Sequence, residues 1–578
     1  MRRLIGRGIA ASRGKALARA MAAETQQQID LEKKSKENLL HSVERVKEAI
    51  DSIAEEMKDE ETRLEGEEEA MRLEIVQMQH TMLSDAVFHD SIRKELEEGY
   101  APESAVARCI EAQCRMLEAI GDAYLAARTD DFRDVGNRII CRLLGKRYPD
   151  LGKLEEDVIL TGENISPSVL AGAKKGKVKG LLLAKGSRTA HVCILAANMG
   201  IPAVVGCIGA EKIKDGDMVF VDGTAGKAAW EMDEAARADA LAETVSYQEK
   251  QKILEKYTEK KGQTKDKVSV QIMANIMDAQ AAEQAKQMGA EGVGLFRTEF
   301  LYMGRKDLPG EEEQFQAYKK AAEMLQGQPL VIRTMDIGGD KQSEALEIPA
   351  EENPFLGYRA IRICLERKEL FFTQLKAVLR ASAYGNVRVM FPMISSMAEL
   401  EEALACLQKA KDELDQQRIA YDKDIQTGMM VEVPSTAILA SRFIKKVDFF
   451  SIGSNDLTQY ALAVDRQNEK VCGLYDYFDP GVLHLIYTVI RACEQENKEC
   501  CLCGEMASDP LAVPVLLGMG LKKFSVNPSA VPLVKYLLSK CEYKKIKHDV
   551  QCMLEMDDRR QIKEEAMALL DEEYRSWL

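Results

Sequence analysis

No stretch of this 578-residue chain offers the roughly 18 uninterrupted apolar residues that a membrane-spanning helix requires, so insertion through such a helix is excluded. The amino terminus, Met1-Arg2-Arg3-Leu4-Ile5-Gly6-Arg7, is basic but lacks an apolar run long enough for a secretory signal. With 14 cysteines and no such signal, the expectation is reduced thiols in a cytoplasmic protein. Cys500, Cys501 and Cys503 cluster, yet no second Cys or His pair stands at zinc-finger spacing, which argues against a structural zinc. Positive charge is also short. The 79 Lys and Arg against 94 Asp and Glu leave a net charge of -15, which argues against nucleic acid or an anionic membrane as partner and leaves room for a basic protein.

Turn residues are unevenly spread. From about Glu24 to Gly145 the chain is dense in Glu, Lys, Ala, Leu and Met with few Gly or Pro, the pattern of several amphipathic helices. Gly-rich segments with short β-branched runs flank this block on both sides. We therefore expect an all-α subdomain over 23–147 inserted into an α/β domain made of 1–22 and 148–230. Residues 231–262 are charged and Ala-rich with almost no turn signal, and read as a linker helix. A chain of this length is too long for one core, and three or four domains are expected.

Beyond Lys267 the rhythm changes. Short apolar runs alternate with helix-length segments: Val268 to Ile276, Gly292 to Arg297, Leu330 to Ile337, Val387 to Ile394, Thr427 to Val433, Phe449 to Ser454, Glu499 to Cys503 and Lys523 to Val526. This predicts a C-terminal (β/α)8 TIM barrel over 263–578, and the fold class is α/β multidomain. Active sites of such barrels lie where strands end. Those positions carry Arg297, Arg333, Glu432, Asn455, Asp456 and Cys503, with Arg466 in the loop that follows. Three arginines suit a small, multiply anionic ligand bearing phosphate and carboxylate. Glu432 and Asp456 can supply hard oxygen ligands to Mg2+. Taken singly, each of these residues has a plainer reading as a structural ion pair or loop organiser.

In the first half one stretch stands out: Gly186-Ser187-Arg188-Thr189-Ala190-His191-Val192-Cys193-Ile194-Leu195-Ala196. Thr189 reads as an N-cap, Val192 to Leu195 as a short buried helix, and Gly200 as its stop before an Ile201-Pro202-Ala203-Val204-Val205 strand. First-turn amides beside His191 would disfavour imidazolium and stabilise an attached phosphate, with Arg188 adding a donor. On these residues alone two readings stand: an imidazole that accepts a phosphoryl group, and a histidine that merely satisfies a helix end.

The barrel motifs resemble a family closely. Glu291-Gly-Val-Gly-Leu-Phe-Arg297-Thr-Glu-Phe300, Arg333-Thr-Met-Asp-Ile-Gly-Gly-Asp340, Asn353-Pro-Phe-Leu-Gly-Tyr-Arg359, Met430-Val-Glu432-Val-Pro434, Ser451-Ile-Gly-Ser-Asn455-Asp456-Leu-Thr-Gln-Tyr460, Val464-Asp-Arg466 and Leu502-Cys503-Gly-Glu505-Met506 are similar to those of enzyme I of the phosphoenolpyruvate-dependent sugar phosphotransferase system. The resemblance runs along almost the whole chain. It implies that Arg297, Arg333, Arg466, Asn455 and Asp456 bind phosphoenolpyruvate, that Glu432 and Asp456 hold Mg2+, that His191 in a swivelling phosphohistidine domain takes the phosphoryl group, and that Cys503 protonates the enolate. It also implies transfer to the phosphocarrier protein HPr, docked on the helical insert near Tyr124 to Gly136, and a homodimer through the barrel. The plainer reading of that helical stretch is a solvated face with charge pairs.

The histidine region departs from the family pattern. The family's Gly-Gly-Arg-Thr-Ser-His is here Gly186-Ser187-Arg188-Thr189-Ala190-His191, its arginine six residues after the histidine is Ala197, and the histidine of its helical motif aligns with Gln79, next to His80. A paralogue that binds phosphoenolpyruvate or pyruvate as a regulator, or that serves a non-sugar carrier, is the alternative these changes raise. An ATP-dependent dikinase or synthase would need a Gly-rich nucleotide loop ahead of His191, and none is found.

Overall fold

Short apolar runs separated by turn residues form strands here because β-branched and apolar side chains suit a pleated sheet packed on both faces, and Val158–Gly162, Leu330–Arg333, Thr427–Val431 and Phe449–Ile452 are buried throughout. A computed structural model of the chain describes residues 4–22, 29–64, 70–119, 129–145, 148, 151–165, 169–170, 172–174, 176–186, 191–303, 305–339, 341, 343–349, 351–468 and 470–577. The chain divides into two units, Met1–Glu249 and Lys250–Leu578.

In the first unit, strands β1 (Leu4–Arg7), β2 (Ile9–Ser12), β3 (Lys15–Ala22), β4 (Val158–Gly162), β5 (Val178–Leu183), β6 (Ala203–Val205), β7 (Met218–Asp222) and β8 (Lys227–Trp230) build one sheet in the order β1-β8-β7-β3-β4-β5-β6-β2. Strands β3 to β6 run parallel, and β1, β2, β7 and β8 add antiparallel pairings. Between β3 and β4 the chain leaves the sheet for the helices Leu39–Leu64, Ala70–Leu83, Ala86–Glu97, Pro102–Ala119 and Thr129–Leu143. Val46, Ile50, Ile53 and Met57 recur at three- and four-residue spacing and are buried against Phe88, Ile92, Val106 and Ile139, so this block has its own core. The helix Glu234–Glu255 follows the sheet; Lys15 of β3 pairs with its Glu243 at 2.7 Å and with Asp222 of β7 at 3.3 Å.

The second unit is a closed barrel of parallel strands: β9 (Gln271–Ile276), β10 (Val293–Arg297), β11 (Leu330–Arg333), β12 (Val387–Phe391), β13 (Thr427–Val431), β14 (Phe449–Ile452), β15 (Glu499–Leu502) and β16 (Lys523–Val526), with β16 pairing β9. Leu295, Val331, Met390, Met430 and Phe449 come from the successive strands β10 to β14 and pack inside it with Cys503, the residue after β15. With a side-chain period of two, Arg297, Arg333 and Glu432 share that inner face at the carboxyl end, and Arg388, Glu499 and Lys523 share it at the amino end. The opposite parity, including Ile332, Val389, Val431, Ile452 and Leu502, joins the large core beneath the surrounding helices. The α/β architecture with a C-terminal eight-stranded barrel is the fold expected above. No helix among the described residues is long and apolar enough to cross a membrane.

Candidate active site

Arg297 ends β10, and among the described residues its guanidinium makes no hydrogen bond or ion pair. Arg333 ends β11 and is buried. Its Nη2 lies 2.6 Å from Glu299 Oε1 and 3.1 Å from Asp336 Oδ2, its Nη1 lies 3.6 Å from Met430 Sδ, and its buried Nε has no partner. Burial disfavours this guanidinium's charge, but Glu299 and Asp336 outweigh that and raise its pKa.

Glu432 follows β13 and is buried, with Oε1 accepting the Met393 amide at 2.7 Å. Met393 holds φ 56°, a conformation that costs a non-glycine residue energy and that the surrounding packing must sustain. Opposite, Gly453 leaves room for the carboxylate: a Cβ there would stand 2.7 Å from Glu432 Oε2. Burial, then the charges of Asp456 and Asp336, push the Glu432 carboxyl up to about 8, with Arg333 and Arg359 pulling back.

Asn455 and Asp456, expected just past a strand, instead occupy the first turn of the helix Ser454–Leu462, because Gly453 ends the strand run at Ile452 and opens the helix. Asp456 is buried. It accepts from Arg466 Nη1 at 2.8 Å and lies 3.4 Å from Arg359 Nη2. Asn455 Oδ1 accepts the Glu505 amide at 2.9 Å, and a Cβ on the intervening Gly504 would meet Ser454 Oγ at 1.9 Å, so the loop after β15 packs directly on this helix start. That loop begins with Cys503, which is buried at the inner face, its amide donating to Ile452 O at 3.1 Å. Burial raises the thiol pKa, and Ser451 and Arg333 pull it part of the way back, so the group is a protonated acid at neutral pH.

The structure therefore brings Arg297, Arg333, Glu432, Asn455, Asp456, Arg466 and Cys503 to one mouth of the barrel. It adds four charged residues that motif spacing did not single out. Glu299, Asp336 and Arg359 are almost fully buried, and Lys341 lies 2.8 Å from both Glu299 Oε1 and Asp336 Oδ2. Arg359 Nη2 lies 2.8 Å from Asp336 Oδ1, and Ala360 beside it has φ 52° and ψ -123°. A signal was present: Glu299 and Asp336 follow strand-end arginines by two and three residues, inside motifs already noted.

Among the described residues no group of three or more His, Cys, Asp or Glu side chains forms a metal cluster. Two carboxylates, Glu432 and Asp456, nonetheless fit Mg2+, which takes one or two protein carboxylates and completes its shell with water and substrate oxygens. The electrostatic cost of ionising Glu432 is the kind a cation relieves.

His191 opens the helix His191–Asn198, and Gly200, at φ 68°, ends it before β6. Its side chain, Arg188 and the expected N-cap Thr189 lie outside the described residues, as do Ser187 and Ala190. Ala197 is exposed on that helix. In the helical block, Gln79 is buried and donates to Asp134 Oδ2 at 2.9 Å, while His80 Nδ1 lies 2.9 Å from Glu61. Of the Tyr124 to Gly136 stretch, residues 124–128 lie outside the described residues. Asp134 is 1% exposed and belongs to the core rather than to a solvated face, whereas Arg133 faces Glu111 at 3.6 Å.

Residues 251–543 match the PEP-binding domain of PEP-utilising enzymes, 154–226 their mobile domain and 7–128 their N-terminal domain. The phosphoenolpyruvate-protein phosphotransferase of Priestia megaterium is 41% identical over 91% of this chain and 92% of its own length. The chain belongs to the enzyme I family. Proteins of the same name from Bacillus subtilis (strain 168), at 40% identity over 92% of this chain and 94% of their counterpart, and from Enterococcus faecalis, at 38% over 98% and 99%, extend the enzyme I match to nearly every residue.

Proposed function

We propose that this enzyme I is a Mg2+-dependent phosphoenolpyruvate-protein phosphotransferase that phosphorylates His191 and passes the group to a histidine of HPr, the first step of sugar uptake by the phosphotransferase system. The observation that carries this reading is a barrel mouth where, among the described residues, the Arg297 guanidinium and the buried Arg333 Nε have no partner and stand with Arg466 beside the carboxylate pair Glu432 and Asp456. That is a receptor for a ligand with several negative charges, and family membership makes phosphoenolpyruvate the ligand.

Arg297, Arg333 and Arg466 would grip the phosphate and carboxylate of the substrate, with Asn455 positioned by its bond to the Glu505 amide. Glu432 and Asp456 would hold Mg2+, which supplies charge neutralisation on the phosphate oxygens when bound. His191 attacks phosphorus as the bond from phosphorus to the enol oxygen breaks. The electron pair left on that oxygen makes the enolate, and the Cys503 thiol gives its proton to the methylene carbon, so the products are phosphohistidine, pyruvate and a thiolate that solvent reprotonates. The thiol's raised pKa suits a donor that must stay protonated until the enolate forms.

The same reading assigns residues 1–22 and 148–230 to the phosphohistidine domain, 23–147 to carrier docking, 231–262 to a linker and 263–578 to a dimerising substrate domain in the cytoplasm. The departures at Ser187, Ala190 and Ala197 favour one other outcome, a regulator that binds phosphoenolpyruvate or pyruvate without passing phosphate on. Intact mass after incubation with phosphoenolpyruvate and Mg2+ separates the two. We expect one acid-labile phosphoryl adduct on the parent and none on His191→Ala; no adduct on the parent would leave the regulator reading.

A further inference from the structure

The loop after β11 doubles back sharply. Gly338 and Gly339 have φ 109° and 68°, a Cβ on Gly338 would stand 2.3 Å from Arg359 Cβ, and Gly338 and Lys341 bridge their backbones at 2.9 and 3.3 Å. Only a residue without a side chain fits there. The result is to return Lys341 to the strand end that the chain left at Arg333.

What Lys341 meets there is a pair of carboxylates. Glu299 Oε1 receives both Arg333 Nη2 at 2.6 Å and Lys341 Nζ at 2.8 Å. Asp336 Oδ2 receives both as well, at 3.1 and 2.8 Å. Both carboxylates are 1% exposed, whereas the Lys341 side chain is 25% exposed and is the one member of this quartet that reaches the rim. Asp336 Oδ1 also takes Arg359 Nη2 at 2.8 Å, but that guanidinium is shared with Asp456 at 3.4 Å, so without Lys341 the buried Glu299 and Asp336 would draw Arg333 onto them and cancel its field toward any incoming anion. With Lys341 the quartet is neutral. Arg333 then spends one nitrogen on the carboxylates, while Nε is left buried with no partner.

We propose that Lys341 is a positioning residue for Arg333: it neutralises the Glu299 and Asp336 pair, so that the guanidinium remains available to the substrate's phosphate or carboxylate. This rests on the reading of the barrel mouth as the phosphoenolpyruvate site. The role differs from that of a bare structural salt bridge because it predicts charge compensation: removing one carboxylate together with the lysine restores neutrality and frees Arg333 again.

The test is steady-state turnover of phosphoenolpyruvate by the full-length protein with its carrier, for the parent, Lys341→Met, Lys341→Arg, and the double variant Glu299→Gln/Lys341→Met. Lys341→Met is expected to raise KM for phosphoenolpyruvate roughly tenfold or more while kcat falls by less than about threefold, since what is lost is binding shared by ground and transition states. Lys341→Arg and the double variant are expected to return KM to within about threefold of the parent. A KM unchanged in Lys341→Met, or a double variant no better than the single one, overturns the proposal. If Lys341→Met does not fold, the double variant is read alone, and a tenfold rise in its KM overturns the proposal. A parent that never saturates with phosphoenolpyruvate overturns the site reading and the proposal with it.

Discussion

Two inward-facing glutamates of the same barrel have opposite electrostatics. At the amino-end mouth, Glu499 of β15 lies 2.6 Å from Arg388 Nη1 of β12 and 2.6 Å from Lys523 Nζ of β16. Burial works against its charge, but Lys523 and Arg388 outweigh it and hold the carboxyl below the ordinary range. At the carboxyl-end mouth, burial and two neighbouring carboxylates push Glu432 up to about 8. One mouth is closed by an ion triad over Phe449, which fills the space that Gly428 leaves: a Cβ there would meet its ring at 2.4 Å. The other keeps a carboxylate in a setting that disfavours it, held by a backbone amide with positive φ. The first arrangement serves the fold, and under the proposed function the second is a binding site that a cation and an anionic substrate would complete.

The sharpest way to break this comparison is to neutralise each glutamate. Glu432→Gln keeps the shape and removes the charge proposed to hold Mg2+, and we expect phosphoenolpyruvate turnover to fall about a thousandfold, the scale on which a transition-state electrostatic element is lost. Thermal stability of the metal-free protein at pH 8 is expected to rise, because a disfavoured buried charge is gone. A variant that kept a tenth of the parent's turnover would remove Glu432 from the reaction.

Why the carboxyl-end mouth was only half legible follows from what sequence patterns encode. Each of the eight barrel strands lies within a candidate run, because apolar runs of strand length between helix-length segments leave few other folds. The run Leu330 to Ile337 overshot: the strand stops at Arg333, after which Asp336 turns in toward the cations and Gly338 and Gly339 reverse the chain. Arg297, Arg333 and Glu432 were visible because they terminate apolar runs. Glu299 and Arg359 lay inside quoted motifs but were given no role, and Lys341 was not singled out, since charged residues in loops have no period and their 2.6 to 2.8 Å contacts exist only once non-adjacent loops close over one strand end. Gln79 shows the same limit. The alignment puts it where the family has a histidine, and only the structure shows it as a buried donor to Asp134.

The next expected effect concerns pH. A carboxyl whose folded pKa lies above its ordinary 4.5 contributes stability that is fully present below about 4.5 and is lost as pH rises through about 8. The metal-free protein is therefore expected to lose stability across that window through Glu432, and the loss should flatten in Glu432→Gln. Mg2+ binds the deprotonated form, so the rise in melting temperature it produces is expected to be larger at pH 8 than at pH 6. Thermal melts with and without Mg2+ at the two pH values measure it. An equal rise at both would show that Glu432 does not take up the ion.

The smallest effect belongs to the other mouth. Glu499→Gln leaves Arg388 and Lys523 inside the barrel without their shared carboxylate. Because the Glu499 side chain is 41% exposed, water screens part of the loss, and the cost is expected to be about 1–2 kcal/mol in urea unfolding of the barrel, well short of that of a fully buried pair. The pH dependence has the opposite sign to that of Glu432. A depressed carboxyl stabilises above its ordinary value and loses that contribution as pH falls through the folded value, so the parent and Glu499→Gln should converge in acid. Turnover per folded molecule should be unchanged, since the triad touches none of Arg297, Arg333, Glu432 or Asp456 and Phe449 lies in the apolar layer between it and those groups. A large loss of activity with little loss of stability would mean that the two mouths are coupled through the barrel interior, and the division between a structural end and a functional end would fail.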